Sequence, residues 1–183
     1  RFHWLSEAAA VLLTDGLRAG GSGAISQTER VRAFEQLYLP VSNGLSRATI
    51  IKVGQLVGAA EVVVGSYRVD GTTLSVTARS IRLDAGRLQP EVSERGELTE
   101  LFAIFDRLST RLGRGVARIG APAPHPPLDA FENYIKGLVA ESPVSQASFL
   151  EAALRNAPQF DRARLALWEV RNEQADHVAA LET

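Results

Sequence analysis

The chain has 183 residues, 45% hydrophobic and 22% charged, with a net charge of -1 and no cysteine. That composition is globular, long enough for one domain plus a smaller module, and exerts no global pull toward nucleic acid or an anionic membrane. The lack of cysteine excludes disulfides, thiol catalysis and Cys-based metal sites, and no apolar run reaches the roughly 18 residues that signal a membrane-spanning helix. Cysteine usage is compatible with either an oxidising or a reducing compartment. Arg1 at the start, the absence of methionine, and a helical pattern still running at "HVAALET" predict a piece of a longer protein, with any targeting segment upstream.

Residues 4–19 open the chain with a helix, because Leu5, Ala8, Ala9, Leu12 and Leu13 recur at the i, i+3, i+4 spacing of one buried face. Leu17 extends that face, and Gly20-Gly21 ends it. A short strand is expected over residues 24–27, then a helix over 29–37 that ends before Pro40. A further helix over 46–57 turns Ile50, Val53, Leu56 and Val57 inward, with Gly58 where a left-handed C-cap is required.

The stretch "VVVGSYRVDGTTLSVTARSIRL", residues 62–83, reads as a hairpin closed by a type I′ turn at Asp70-Gly71. That turn pairs Val69 with Thr72, Tyr67 with Leu74, Gly65 with Val76 and Val63 with Ala78, which puts these residues on one apolar face. The other face carries Ser66, Arg68, Thr73, Ser75, Thr77 and Arg79. Helices should cover the first face while the second meets solvent or a partner. Gly65 leaves room for a helix on the packed face. Ile81 and Leu83 fall out of phase, and a β-bulge near Ser80 would return them to the core.

Asp84-Ala85-Gly86 makes a second turn, and a third strand follows over 88–94, confined to an edge by Pro90. A long helix over 98–119 then carries Leu98, Leu101, Phe102, Phe105, Leu108 and Leu112 on one stripe. The predicted fold class is α+β, a small sheet of hairpin and meander with helices packed on one face. "GAPAPHPPL" interrupts this pattern with a proline-rich linker over 120–127 that favours extended polyproline II. The predicted domains are therefore 1–119 and 128–183. The second is all-α, with helices at about 128–140, 145–157 and 161–181 turned at Pro143 and Pro158.

Two stretches carry a family resemblance. "WLSEAAAVLLTDGL", followed by "GAAEVVVGSYRVDGTTLSVTARSIRLDAGRL", resembles the amino-terminal domain of TolB and the related FlgO-like envelope domains. The matching positions are Gly65, Asp70, Gly71, Asp84 and Gly86, and the resemblance covers about residues 4–119. Those domains begin with a strand that precedes the helix, and here the chain begins at the helix. "DAFENYIKGLVA" with "QASFLEAALRNAPQFDRARLAL" resembles a tetratricopeptide repeat, on Leu150, Ala153, Leu154 and Pro158, with Gly137 about three residues too close in the first helix. About one and a half repeats are present, fewer than such arrays ordinarily need to bury a continuous core.

The resemblance implies a protein-binding scaffold of the bacterial cell envelope or periplasm, with no catalysis. The alternative it allows is an extracytoplasmic sensor or regulatory segment of a larger signalling protein. It also implies where a protein or peptide partner would dock. Arg162, Glu169, Asn172 and Glu173 fall on positions that line the concave groove of such repeats.

Chemistry-bearing patterns are sparse. His3, His125 and His177 are far apart, none with a second histidine at i+3 or i+4, so no metal site is expected. "GGSG" at 20–23 lacks the Gly-Lys-Ser/Thr ending of a phosphate loop and follows a helix rather than a strand. No Gly-x-Ser-x-Gly elbow is present. Glu91 and Glu94 flank the edge strand, while Glu97 and Glu100 suit a helix's first turn. The reading is that of a non-enzyme without cofactors. Arg107, Arg111, Arg114 and Arg118 line one helical face and make a nucleic-acid or lipid-phosphate surface conceivable. Nearby acids and the lack of interleaved aromatics favour a solvated face.

Overall fold

A computed structural model of the chain describes residues 2–39, 45–113 and 124–173. Among these are seven α-helices and four strands, an α+β fold. The chain divides into two compact units, Ala9–Pro122, and Arg1–Ala8 together with Ala123–Thr183. The division falls within the first helix, whereas the sequence assigns all of 1–119 to one domain.

In the first unit, α1 (Trp4–Ala19) ends as its sequence indicates. Gly21 takes φ +83°, its N–H donates to the Arg18 carbonyl, and Ser22 N–H reaches back to Leu17. This is a Schellman closure, in which a left-handed residue lets two otherwise orphaned carbonyls be satisfied. Helix α3 (Arg47–Leu56) closes in the same way on Gly58, at φ +66°. Helix α2 (Gln27–Gln36) does so on Tyr38, at φ +52°.

The strand expected at 24–27 is absent. Ser26 instead caps α2, its Oγ accepting from Glu29 N–H at 3.2 Å while its own N–H donates to Glu29 Oε2 at 2.7 Å. A capping box satisfies two backbone donors at once and outweighs the weak alternation of a four-residue run.

The sheet centres on β2 (Thr73–Arg82). β1 (Glu61–Asp70) lies antiparallel along one side, and β3 (Arg87–Leu88) and β4 (Val92–Glu97) share the other. The hairpin register is two residues away from the expected one: Asp70 faces Thr73, Val69 faces Leu74 and Gly65 faces Ala78. The loop is Gly71-Thr72, and only Gly71 has positive φ, the signature of a type II′ turn. A slip of two keeps every side chain on its predicted face. Leu74, Val76, Ala78 and Ser80 are accordingly buried.

Pairing of β2 with β1 continues through Ser80 and Ile81 without a bulge. The irregularity lies in the facing strand instead. Ala78 pairs with Val92 while Ile81 pairs with Leu88, so residues 89–91 contain one extra residue. The expected strand over 88–94 is thus two strands, and Pro90 sits in the break. Ile81 remains on the opposite face and is covered there.

Helix α4 (Leu101–Leu112), entered by a 3₁₀ turn at Leu98–Glu100, packs over the Leu74 face of β2 and β4. Leu101, Ile104, Phe105 and Leu108 form its buried side. Residues 114–119 of the expected long helix lie outside the described residues. Helix α3 lies on the other face, at the far end of the hairpin. A Cβ at Gly54 would stand 2.5 Å from Val62 Cγ2 and 2.7 Å from Leu83 Cδ1. Helices therefore cover both faces of the sheet, not one. With Gly54 turned to the sheet, Leu56 points about 200° away and is exposed. Among the described residues no helix covers Gly65, which is itself exposed.

In the second unit, α5 (Leu128–Val139), α6 (Pro143–Asn156) and α7 (Asp161–Glu173) follow in sequence. Phe131, Ile135, Leu150, Ala153, Ala163 and Leu167 make the core. Gly137 lets α5 and α6 approach closely, since a Cβ there would stand 2.7 Å from Leu150 Cγ. Ser142 caps α6, with Pro143 in the first turn where its missing N–H costs nothing. Among the described residues, no helix is long and apolar enough to cross a membrane.

Candidate functional site

Helix α7 carries the residues singled out for partner binding. Its inner face is Ala163, Ala166 and Leu167, all buried. At 100° per residue, Arg162, Glu169 and Glu173 fall within about 40° of one another on one flank. All three are exposed. The Arg162 guanidinium lies 5.5 Å from the Tyr134 ring centroid of α5, so this flank looks toward α5. Tyr134 is held in turn edge-on to Phe160, with ring centroids 5.0 Å apart. The opposite flank is pinned to α6, where Arg171 donates to Glu151 Oε1 at 2.9 Å.

Asn172 does not join that stripe. It lies about 80° away on the outer side of α7, between Leu165 and Trp168. These two are 58% and 42% exposed, making the outer side partly apolar. Sequence reasoning placed Asn172 by repeat position; counting from Leu165 at i+7 would have moved it.

The arginine face of α4 has a structural explanation for its first half. Arg107 Nε donates to Glu94 Oε2 and Arg111 Nη1 to Glu94 Oε1, each at 2.9 Å, and Arg111 also reaches the Ser93 carbonyl at 2.7 Å. The hydrogen bonds from Arg107 and then Arg111 hold the Glu94 carboxyl below the usual glutamate range. The pair ties α4 to β4. Arg114 and Arg118 lie outside the described residues.

The remaining candidates are engaged locally. The N–H groups of Gly20, Gly21 and Ser22 all close α1, so the glycine loop offers no ring of donors to a phosphate. Glu91 pairs with Arg79 at 2.7 Å. A cleft beside the loop is lined by Gly16, Gly20, Gly113, Ser109 and Thr110 among others, with no charged side chain. Both of its α4 hydroxyls donate to the Asp106 carbonyl. Among the described residues, no group of three or more histidine or acidic side chains could hold a metal ion. His177 lies outside them. No family model matches this chain, and neither a curated protein nor a solved structure matches it.

Proposed function

We propose that this is a non-enzymatic protein-binding scaffold of the bacterial cell envelope, joining a TolB-like α+β region to repeat-like helices. The observation that carries the reading is the exposed Arg162, Glu169, Glu173 flank of α7. It combines both charge signs on helices whose inner faces are already packed, with Arg162 held over the buried Tyr134 ring. Such a surface suits a polar, charged peptide, because complementary charges steer association and fix its register. Asn172 would meet a partner only on the outer side, beside Trp168.

The test compares capture by the full chain and by its Arg162→Glu/Glu169→Arg variant from nuclease-treated bacterial envelope extract. A protein retained by the first and lost from the second, at an unchanged melting temperature, supports the reading. Equal capture by both removes this flank from consideration.

A further inference from the structure

The face of the sheet turned away from α4 carries its charges in rows. Along β2, Leu74, Val76, Ala78 and Ser80 are buried, while Thr73, Ser75, Thr77 and Arg79 between them are only partly covered. Helix α3 covers the far end of this face, beside Val62 and Leu83. Nearer the hairpin turn, the pairing of β1, β2 and β4 aligns three rows across the strands. Asp70, Thr73 and Glu97 form the first, Arg68, Ser75 and Arg95 the second, and Ser66, Thr77 and Ser93 the third. The outer members of all three rows are exposed.

Farther along the same face Arg79 is paired with Glu91 at 2.7 Å. Arg68, Arg95, Asp70 and Glu97, by contrast, make no ion pair and no side-chain hydrogen bond among the described residues. Each of the two charged rows therefore presents like charges about 10 Å apart, one on either side of a central hydroxyl. One negative group seated over Ser75 answers both arginines, and one positive group over Thr73 answers both carboxylates. The rows lie about 7 Å apart, which is also the spacing of residues i and i+2 in an extended chain. We infer that this face binds a short extended segment of a partner protein that carries an acid and a base two residues apart. Its next inward residue, over the third row, is small and polar. The Ser66 and Thr77 hydroxyls there already share a hydrogen bond of 2.9 Å, so that row adds polarity without charge.

A nucleic-acid strand fits less well, since its phosphates would meet Asp70 and Glu97 and the three rows hold no aromatic for a base to stack on. A second copy, turned about a two-fold axis between the charged rows, would set each acidic row on the other's arginines. The hairpin loop lies one row beyond Asp70, however, so that overlap covers only about 300 Å² a side. A stable interface takes roughly 800 Å² from each partner. A short segment needs no more than the strip that is present.

The probe is the peptide Ser-Thr-Glu-Thr-Lys with acetylated and amidated ends, titrated into the isotope-labelled full chain and followed by amide NMR shifts. Saturable shifts are expected along the three rows. Arg68→Glu/Arg95→Glu should weaken binding about tenfold and transfer the preference to Ser-Thr-Lys-Thr-Lys. The milder Arg68→Gln/Arg95→Gln should also weaken it, at an unchanged melting temperature. A control of the same composition, Ser-Thr-Thr-Glu-Lys, turns its two charges to opposite sides of the extended chain and should bind more weakly. No saturable shift overturns the proposal. So does equal binding of the control, or indifference to both arginine variants. Shifts of these rows that follow protein concentration alone assign the face to a second copy and also overturn it.

Discussion

Along one side of β2 the ladder to β1 runs from Glu61 opposite Arg82 to Asp70 opposite Thr73 without interruption, whereas the other side is divided between β4 and β3. The divided side contains Pro90 and an extra residue, and its longer strand reads Val-Ser-Glu-Arg-Gly-Glu, with charges along its length. The continuous side ends on β1, which no further strand joins among the described residues. The same central strand thus has one neighbour broken by proline and an extra residue and one that is regular throughout. In a small sheet, regularity and protection are competing properties.

The largest effect that would sharpen this contrast is a truncation at the centre. Leu74, 1% exposed beneath α4, should lose about 2–5 kcal/mol on Leu74→Ala. Val63→Ala on the half-exposed β1 should cost roughly 1 kcal/mol. Urea unfolding of the full chain measures both, and equal losses would show that β1 is as deeply packed as β2.

A smaller contrast comes from adding a methyl group to each neighbour strand. At Gly65 a Cβ would stand 2.6 Å from the Thr77 carbonyl oxygen, a backbone atom that cannot step aside. Gly65→Ala should cost about 1–3 kcal/mol. At Gly96 the nearest obstacle, at 2.8 Å, is the end of the Glu100 side chain, which can move, and the buried Ile104 at 3.2 Å need give only slightly. Gly96→Ala should be close to neutral, since the unfolded chain also loses freedom. Thermal unfolding of the two variants reads the difference, and the reverse order would break the comparison.

The smallest effect is electrostatic. The carboxyl of Glu94 titrates lower when folded than when unfolded, because Arg107 and Arg111 hydrogen-bond its charged form. Its contribution is therefore fully present above the ordinary glutamate range and fades as pH falls through the lowered folded value. Glu94→Gln should remove about 1 kcal/mol or less at neutral pH and flatten that part of the acid limb. Urea midpoints measured from neutral pH downward would show it. Unchanged acid sensitivity in the variant would mean that the β4 side gains nothing from the clamp.

How much of this was legible in the sequence depended on which signal each element used. α1 was readable in full, because sixteen residues of helical periodicity end at a glycine pair. The sheet faces were readable, but the register was not. Alternation has a period of two, so turns centred on Asp70-Gly71 and on Gly71-Thr72 give the same faces. The bulge expected near Ser80, to return Ile81 and Leu83 to the Leu74 face, does not occur: α3 covers the opposite face, so Ile81 is buried there without a change of phase. The capping box at Ser26 and Glu29 was written in the sequence and overlooked in favour of a strand. On α7, Arg162, Glu169 and Glu173 could be grouped by helical geometry. Their view toward α5 needed Tyr134, which no spacing within α7 reports.

The extra residue at Gln89–Glu91 has a consequence for how this region tolerates insertions and deletions. It works as a phase converter: Val92 lies on the Leu74 face and Leu88 on the Ile81 face because one residue separates two alternations. Removing one residue there would straighten the ladder but turn one of those two side chains toward the wrong side. A compensating change of one residue in the Asp84–Gly86 turn would leave the mismatch in place, because that turn lies beyond Leu88. The length of this short connection is therefore as much a part of the fold's specification as the identity of any core side chain.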